Sequence, residues 1–354
     1  MVQVLHLLSR EPDLQAARSA EAIRLAAAGR LNLTVRTMGA GGDSNWRNTV
    51  HAAAALRLGA GPGFDVAHVW DEAALVAAAA GGLPVIFSPS ELPARAGLPW
   101  ATIRCRNVQV VTCTAAVRDA CVRRGVPSRR CHMVLPPVDF DRIPRRRDAS
   151  LRSAMGFSES DFVVLAPGES TPVANHRAAV HAVSILHVLD RSYRILLWGR
   201  GRDAPQMTWL ARRLRQPSLV TLADRALGRS VDFEDLLAAA DLALVTASAA
   251  APTAPLAVCM AAGLPIAAAE STATSELLHD AKNAALVPSR PRLLAKRVLE
   301  LREDRVQATR LGRTAREDAR RRFDPVRFVG EYQKLYECAA GIGSPSHQKL
   351  TTCL

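Results

Sequence analysis

Aromatic residues make up only 5 % of the 354-residue chain, and no basic stretch is interleaved with them. Binding of single-stranded nucleic acid needs both, cations for phosphate and rings for base stacking, so nucleic acid is not an expected partner. The seven cysteines (Cys105, Cys113, Cys121, Cys131, Cys259, Cys338 and Cys353) are odd in number and contain no Cys-x-x-Cys pair. Neither a zinc site nor a disulfide framework follows from such spacing, and no metal is expected. Cys105, Cys113 and Cys121 fall in or beside expected core elements, where a free thiol acts as a small hydrophobe. That usage fits a reducing cytoplasm. No basic run precedes the apolar Val2–Leu8 and no cleavage site follows it, so no signal peptide is expected. The longest apolar stretch, Leu236–Ala269, is broken by Asp241, Pro252, Pro255, Gly263 and Pro265, which excludes a membrane span. The expectation is a cytoplasmic protein, at most peripheral at a membrane.

Acidic residues are also scarce: 33 against 46 Lys and Arg, a formal charge of +13. The excess lies in short runs, Arg123-Arg124, Arg129-Arg130, Arg145-Arg146-Arg147 and Arg320-Arg321-Arg322. Such runs are read first as solvated surface, and secondly as attraction for nucleotide diphosphates or an anionic membrane surface.

What the chain does have is an alternation of short apolar runs with helical segments, the signature of parallel sheets covered by helices. With 354 residues, two such units are expected. Strands are predicted at Val2–Leu8, Leu33–Thr37, Asp65–Val69, Pro84–Ser88 and Val108–Thr112, with helices over Leu14–Ala28, Asp71–Ala80 and Ala115–Arg124. Asp71 and Thr114 suit the N-cap positions of the last two. The second half repeats the pattern: strands at Phe162–Ala166, Arg194–Trp198, Leu219–Leu222, Leu242–Thr246, Pro265–Ala268 and Ala285–Val287. Helices are predicted over His176–Leu189, Pro205–Leu214, Phe233–Ala240, Pro255–Ala262 and Pro291–Arg322. The basic, patternless Ile143–Arg152 reads as a hinge. Expected boundaries are residues 1–140 for an N-terminal domain, 141–160 for the hinge and 161–324 for a C-terminal domain. A crossover helix over 325–340 and a polar, mobile tail over 341–354 complete the chain.

Several stretches, in order, carry a resemblance. Val111–Val117 with Arg123-Arg124-Gly125-Val126-Pro127 is a strand and helix closed by Gly-Val, and Pro136-Pro137-Val138-Asp139 follows. Leu197-Trp198-Gly199-Arg200-Gly201, Ala238-Ala239-Ala240-Asp241-Leu242 and Met260-Ala261-Ala262-Gly263-Leu264-Pro265-Ile266 come next. The last is Ser275-Glu276-Leu277-Leu278-His279-Asp280-Ala281-Lys282-Asn283 with Leu286-Val287-Pro288. Each piece is common in Rossmann-like sheets, but the ordered set resembles retaining GT-B glycosyltransferases of family 4 (glycosyl transferase group 1) over roughly residues 110 to 340. The resemblance implies an α/β fold of GT-B type, two Rossmann-like domains facing across a cleft. It also implies hexosyl transfer from a nucleotide-diphosphate sugar to an acceptor, with no cofactor and no metal.

Measured against that resemblance, the donor site lacks most of its charges. The family holds the leaving diphosphate with an Arg after the first glycine of the second domain and a Lys a few residues on, because charge develops there in the transition state. Here Gly168 is followed by Glu169, and the Lys position falls at Ala174. His176 and Arg177 follow, and Arg177 is the candidate substitute cation or an ordinary surface residue. The family's two sugar- and ribose-binding glutamates fall at Ala250 and Val258, leaving the hydroxyls of Ser248 and Thr253. The family histidine of the first domain corresponds to Ser90, beside Glu91. In place of a Gly-rich loop after strand one stands Ser9-Arg10-Glu11-Pro12-Asp13, and Gly39-Ala40-Gly41-Gly42 reads as a turn. Gly168, Gly199, Arg200 and Gly201 remain as donor-side turns. Glu276 is the one acidic family position retained, a helix cap or a nucleotide contact. His68 reads as structural and Asp71-Glu72 as a response to the helix dipole. Two functions stay open: a glycosyltransferase with a remodelled donor site, or a catalytically degenerate GT-B protein (a pseudoenzyme) that binds a ligand or partner.

Overall fold

A computed structural model describes residues 1–9, 12–26, 31–38, 63–92, 97–105, 107–247 and 253–341. The chain opens with β1 (Gln3–Ser9), α1 (Leu14–Ala26), β2 (Asn32–Met38), β3 (Val66–Val69) and α2 (Glu72–Ala80). It continues through β4 (Val85–Phe87), α3 (Leu98–Cys105), β5 (Val108–Thr112), α4 (Ala115–Arg123) and β6 (Cys131–Met133). These strands form one parallel sheet in the order β2-β1-β3-β4-β5-β6. After α5 (Ala149–Ala154) come β7 (Phe162–Leu165), α6 (His176–Leu189), β8 (Tyr193–Leu197), α7 (Ala204–Arg213), β9 (Val220–Leu222) and α8 (Ala223–Ala226). Next are β10 (Leu242–Val245), α9 (Ala254–Ala262), β11 (Ile266–Ala269), α10 (Thr272–Ser275) and β12 (Ala285–Val287). The second parallel sheet runs β12-β11-β10-β7-β8-β9, and α11 (Pro291–Glu303), α12 (Arg305–Arg322) and α13 (Pro325–Ala339) finish the described chain.

Both sheets are covered on both faces, which is why central strands such as Leu242–Val245 and Ile266–Ala269 are continuously apolar and wholly buried. The two expected caps are in place: Asp71 accepts from the Ala74 amide at 2.8 Å and Thr114 from the Val117 amide at 3.3 Å. One expectation needs correction. Phe233–Ala240 is not an α-helix but a 3-10 turn over Glu234–Ala238. The helices expected over Pro291–Arg322 are two, divided at Asp304, whose carboxylate accepts from the Gln307 amide. Helix α3 had no signal, because eight residues are too few to display a 3.6-residue period.

The basic Ile143–Arg152 is no bare hinge either. Ile143 is buried in the second core, and Arg152 is only 3 % exposed. Its guanidinium donates to the carbonyls of Ala239 (2.6 Å) and Asp161 (2.6 Å) and pairs with Asp241 at 3.1 Å. An arginine can be buried there because its donors meet fixed acceptors.

Helix α13 packs its apolar face onto the first sheet, burying Phe328, Val329, Tyr332 and Tyr336 among Val4, Ile86 and Val111. A buried polar chain fixes it: Tyr336 Oη lies 2.6 Å from His68 Nδ1 and 3.1 Å from His6 Nε2, and His68 Nε2 lies 2.8 Å from Ser88 Oγ. Ser88 Oγ is in turn 2.9 Å from Tyr332 Oη. His68 is therefore structural, as its sequence context suggested.

Gly201 has φ of +91°, and a Cβ there would lie 2.5 Å from the Ser170 carbonyl oxygen. This close approach clamps two loops together, with Ser170 N–H donating to Arg200 and Asp203 N–H to Ser170. Gly201→Ala should therefore cost about 3 kcal/mol. A urea melt in which the variant matches wild type would refute this.

Candidate functional site

The carboxyl ends of parallel strands, where backbone N–H groups of the following helices converge, are the usual ligand position of such sheets. Here the two sheets leave between them a cleft of about 1160 Å³. The first sheet's side contributes Asp13, Leu14, Arg18, Trp70, Asp71, Glu72, Ser90 and Glu91. The second contributes Gly168, Glu169, Thr171, Ala174, Trp198, Arg200, Gly201, Arg202, Asp224 and Asp232.

The cleft walls are already bonded to each other. Glu169 Oε1 accepts from the Leu14 amide at 2.8 Å, so a carboxylate of the second domain caps α1 of the first. Gln15 Oε1 accepts from the amides of Thr253 (2.9 Å) and Ala254 (3.3 Å), the start of α9. Glu276 closes the third such contact, its two oxygens accepting from Ala115 (2.7 Å) and Ala116 (2.8 Å) at the start of α4. Thus three helix N-termini are occupied by side chains from the opposite domain. Arg18 adds a two-pronged pair with Glu234, 2.8 Å and 2.7 Å, and Thr171 donates to Glu91 at 2.9 Å.

Among the described residues, seven carboxylates line the cleft (Asp13, Asp71, Glu72, Glu91, Glu169, Asp224, Asp232) against three guanidiniums, of Arg18, Arg200 and Arg202. In a chain of net charge +13 this is a local inversion of sign. Two of the cations are committed, Arg18 to Glu234 and Asp232, and Arg200 to Asp224 at 3.1 Å while it covers the Trp198 ring at 4.1 Å. Burial raises the carboxyl pKa of Asp13, Asp71, Glu72 and Glu91. Glu169 is pushed up to about 7, first by burial and then by the neighbouring Asp13. No group of three His, Cys, Asp or Glu among the described residues is arranged to hold a metal ion.

The sequence-predicted residues separate into three groups. Gly168, Glu169, Arg200, Gly201 and Ser90 do come together at the cleft, and Ser90 donates to Asp13 at 2.7 Å. Gly168 is held close to α9, since a Cβ there would lie 2.8 Å from Pro255. Gly199 turns the chain behind them with φ of +108°. Other positions require correction. His176 is buried, bonded to Ser170 Oγ and the Pro167 carbonyl, and supports the loop from behind. Arg177 is exposed outside the cleft. Val258 is 3 % exposed within the second core, so a glutamate there would be a buried, unpaired charge. Thr253 contributes its backbone amide to Gln15, and Glu276 caps α4 of the other domain, not the helix that follows it. Ser248, Ala250 and the Gly39–Gly42 turn lie outside the described residues.

Sequence reading missed Gln15, Arg18, Trp70, Asp224 and Asp232 altogether. Asp13 had a signal, Pro12-Asp13 ahead of a helical stretch, which is N-cap chemistry; its side chain accepts from Ala16 at 2.9 Å. Glu169→Gln keeps an acceptor for Leu14 and removes the buried charge. A carboxyl whose folded pKa lies near 7, above its unfolded value near 4.5, lowers stability as pH rises through that interval. The variant should therefore nearly equal wild type near pH 4.5 and exceed it by about 3 kcal/mol above pH 7. A pH-independent difference would contradict the assignment.

Comparison with known proteins agrees with this geometry. Residues 161–304 match the family described as "Glycosyl transferases group 1". A search of curated proteins finds no match. Among solved structures, Anabaena HepE in complex with UDP-glucose superposes with a TM-score of 0.76 at 17 % identity, covering 96 % of this chain and 100 % of that one. Sucrose-phosphate synthase from Thermosynechococcus elongatus gives 0.76 at 15 %, covering 97 % and 100 %. WaaG, a glycosyltransferase involved in lipopolysaccharide biosynthesis, gives 0.73 at 16 %, covering 95 % and 99 %. The fold is that of GT-B glycosyltransferases, with two Rossmann-like domains facing across the cleft.

Proposed function

We propose that this protein is a glycosyltransferase-like, GT-B ligand-binding protein whose cleft receives a hydroxyl-rich ligand without turning over a nucleotide-diphosphate sugar at a useful rate. The observation that carries this reading is Glu169. A departing diphosphate needs cations already pointing at it, and the residue after Gly168 is a carboxylate bonded to the Leu14 amide. Arg18 and Arg200, which line the same cleft, each hold a carboxylate of their own. Carboxylates and the hydroxyls of Ser90 and Thr171 suit sugar hydroxyls, to which charged acceptors bond about twice as strongly as neutral ones.

A second reading, transfer of a sugar from a nucleotide-diphosphate donor to an acceptor, is favoured by the family match over 161–304 and by Arg202 on the cleft wall. Thermal shift with UDP, GDP and ADP separates the two. The first reading expects no saturable stabilisation by any of them. A ligand present at 100 times its dissociation constant would add about 2.7 kcal/mol, and such a response with sugar turnover establishes the second reading.

A further inference from the structure

Helices α6 and α7 are neighbours on the outer layer of the second sheet, tied at their far ends by Gln216 Nε2 donating to the Ser184 carbonyl at 3.2 Å. Both begin at the carboxyl ends of their strands, beside the cleft, and therefore end at the opposite pole of the domain. At that pole the helices are apolar where solvent would favour polarity. On α6, Ile185, Val188 and Leu189 share one face at helical spacing, and the last two are 66 % and 73 % exposed. On α7, Trp209 is 56 % exposed, and the Arg213 guanidinium lies 4.9 Å from its ring centroid.

Arginines surround this ridge. Arg191, Arg212, Arg213 and Arg215 are exposed, whereas the carboxylate of Asp190, next to Leu189 in the chain, is bound by Arg302 at 3.0 Å. Scattered apolar residues need no explanation, but three exposed on one face of a helix, with an exposed tryptophan on the adjoining helix and exposed arginines beyond both helix ends, do. We propose that this pole docks on an anionic lipid bilayer, with Ile185, Val188, Leu189 and Trp209 entering the headgroup boundary and the arginines meeting lipid phosphates. A second copy of the chain fits poorly, because two identical cationic rims would face each other. A bilayer supplies both a soft apolar layer and negative charge. Docked by this pole, the protein keeps its cleft, at the other ends of the same helices, open to solvent. Among the described residues no helix is long and apolar enough to cross a membrane, so the association is peripheral.

The test is co-sedimentation of the full chain with vesicles of phosphatidylcholine alone or with about one third phosphatidylglycerol. Wild type should bind the anionic vesicles, ignore the neutral ones and dissociate at about 0.5 M salt. The variant Val188→Ser/Leu189→Ser/Trp209→Ser, and separately Arg212→Glu/Arg213→Glu, should each bind about tenfold more weakly. Arg145→Glu/Arg146→Glu, which makes the same change of charge elsewhere on the surface, should bind as wild type does. All seven side chains are exposed, and unchanged melting curves would establish that the variants fold. Absence of vesicle binding, or binding untouched by the apolar variant, overturns the proposal. So does an apolar variant whose only defect is lost self-association or lost capture of an acidic protein.

Discussion

Arg18→Ala should cost about 3–5 kcal/mol and loosen the closed arrangement of the two domains. Arg18 sits on α1 of the first domain, while its main partner, Glu234, has a side chain only 4 % exposed in the second. Burial alone would lower the Arg18 pKa, but Glu234 and Asp232 hold it above the usual guanidinium value. Removing the cation leaves the Glu234 carboxylate buried with no counter-charge, the costly half of breaking such a pair. Replacing both partners by apolar residues is a different matter, because neither charge then remains to be desolvated. Arg18→Met with Glu234→Met should recover most of the loss. Urea denaturation measures the first effect and small-angle scattering the second, as a larger radius of gyration for Arg18→Ala. An unchanged stability would mean that solvent reaches Glu234 and that the pair is a surface contact.

The second large effect is acid sensitivity through buried histidines. His6 and His176 have pKa values lowered to about 4, in both cases chiefly by burial. Burial lowers His68 as well, aided by the nearby His6. At His6 and His176 the unfolded chain takes up a proton near pH 6.5, the folded one only near pH 4. Between those values the unfolded state binds more protons, so stability is complete above about pH 6.5 and is lost as pH falls toward 4. Each of His6 and His176 contributes about 3 kcal/mol of this loss. Glu169 works in the opposite direction over part of the same range, so the wild-type profile alone does not isolate the histidines. The readout is a difference. Wild-type stability relative to His6→Gln should fall by about 3 kcal/mol from pH 7.5 to 4, and relative to His176→Gln by a similar amount. For His6, the first structural sign should be loss of protection in α13, because Tyr336 hangs on that imidazole and on His68. A flat difference would mean that water reaches the ring in the folded state.

Much of the fold was legible because it is written in neighbouring residues. Strand runs such as Leu242–Val245, the caps Asp71 and Thr114, and the apolar face of α13 depend on side chains a few positions apart. Gly168, Gly199 and Gly201 were legible for the same reason, since a glycine after a strand marks a turn that side chains obstruct. The sequence also revealed which donor-site charges are missing, because Glu169 stands openly after Gly168.

What those substitutions do was decided only in three dimensions. Glu169 looked like a lost cation; it is a cap for a helix 155 residues earlier in the chain. Val258 looked like a lost ligand and is a core residue, because α9 is buried on all sides. Glu276 bonds amides about 160 residues away, and Arg18 pairs with Glu234 across 216. No local pattern encodes such partners, since either residue would look the same beside water. The sequence by itself determined two parallel α/β units and the order of most of their elements, and the family resemblance implied a cleft between them. Only the packing of one sheet's helix ends against the other's loops determined that this cleft is acidic and bonded to itself, because the charges that fill it come from distant parts of the chain.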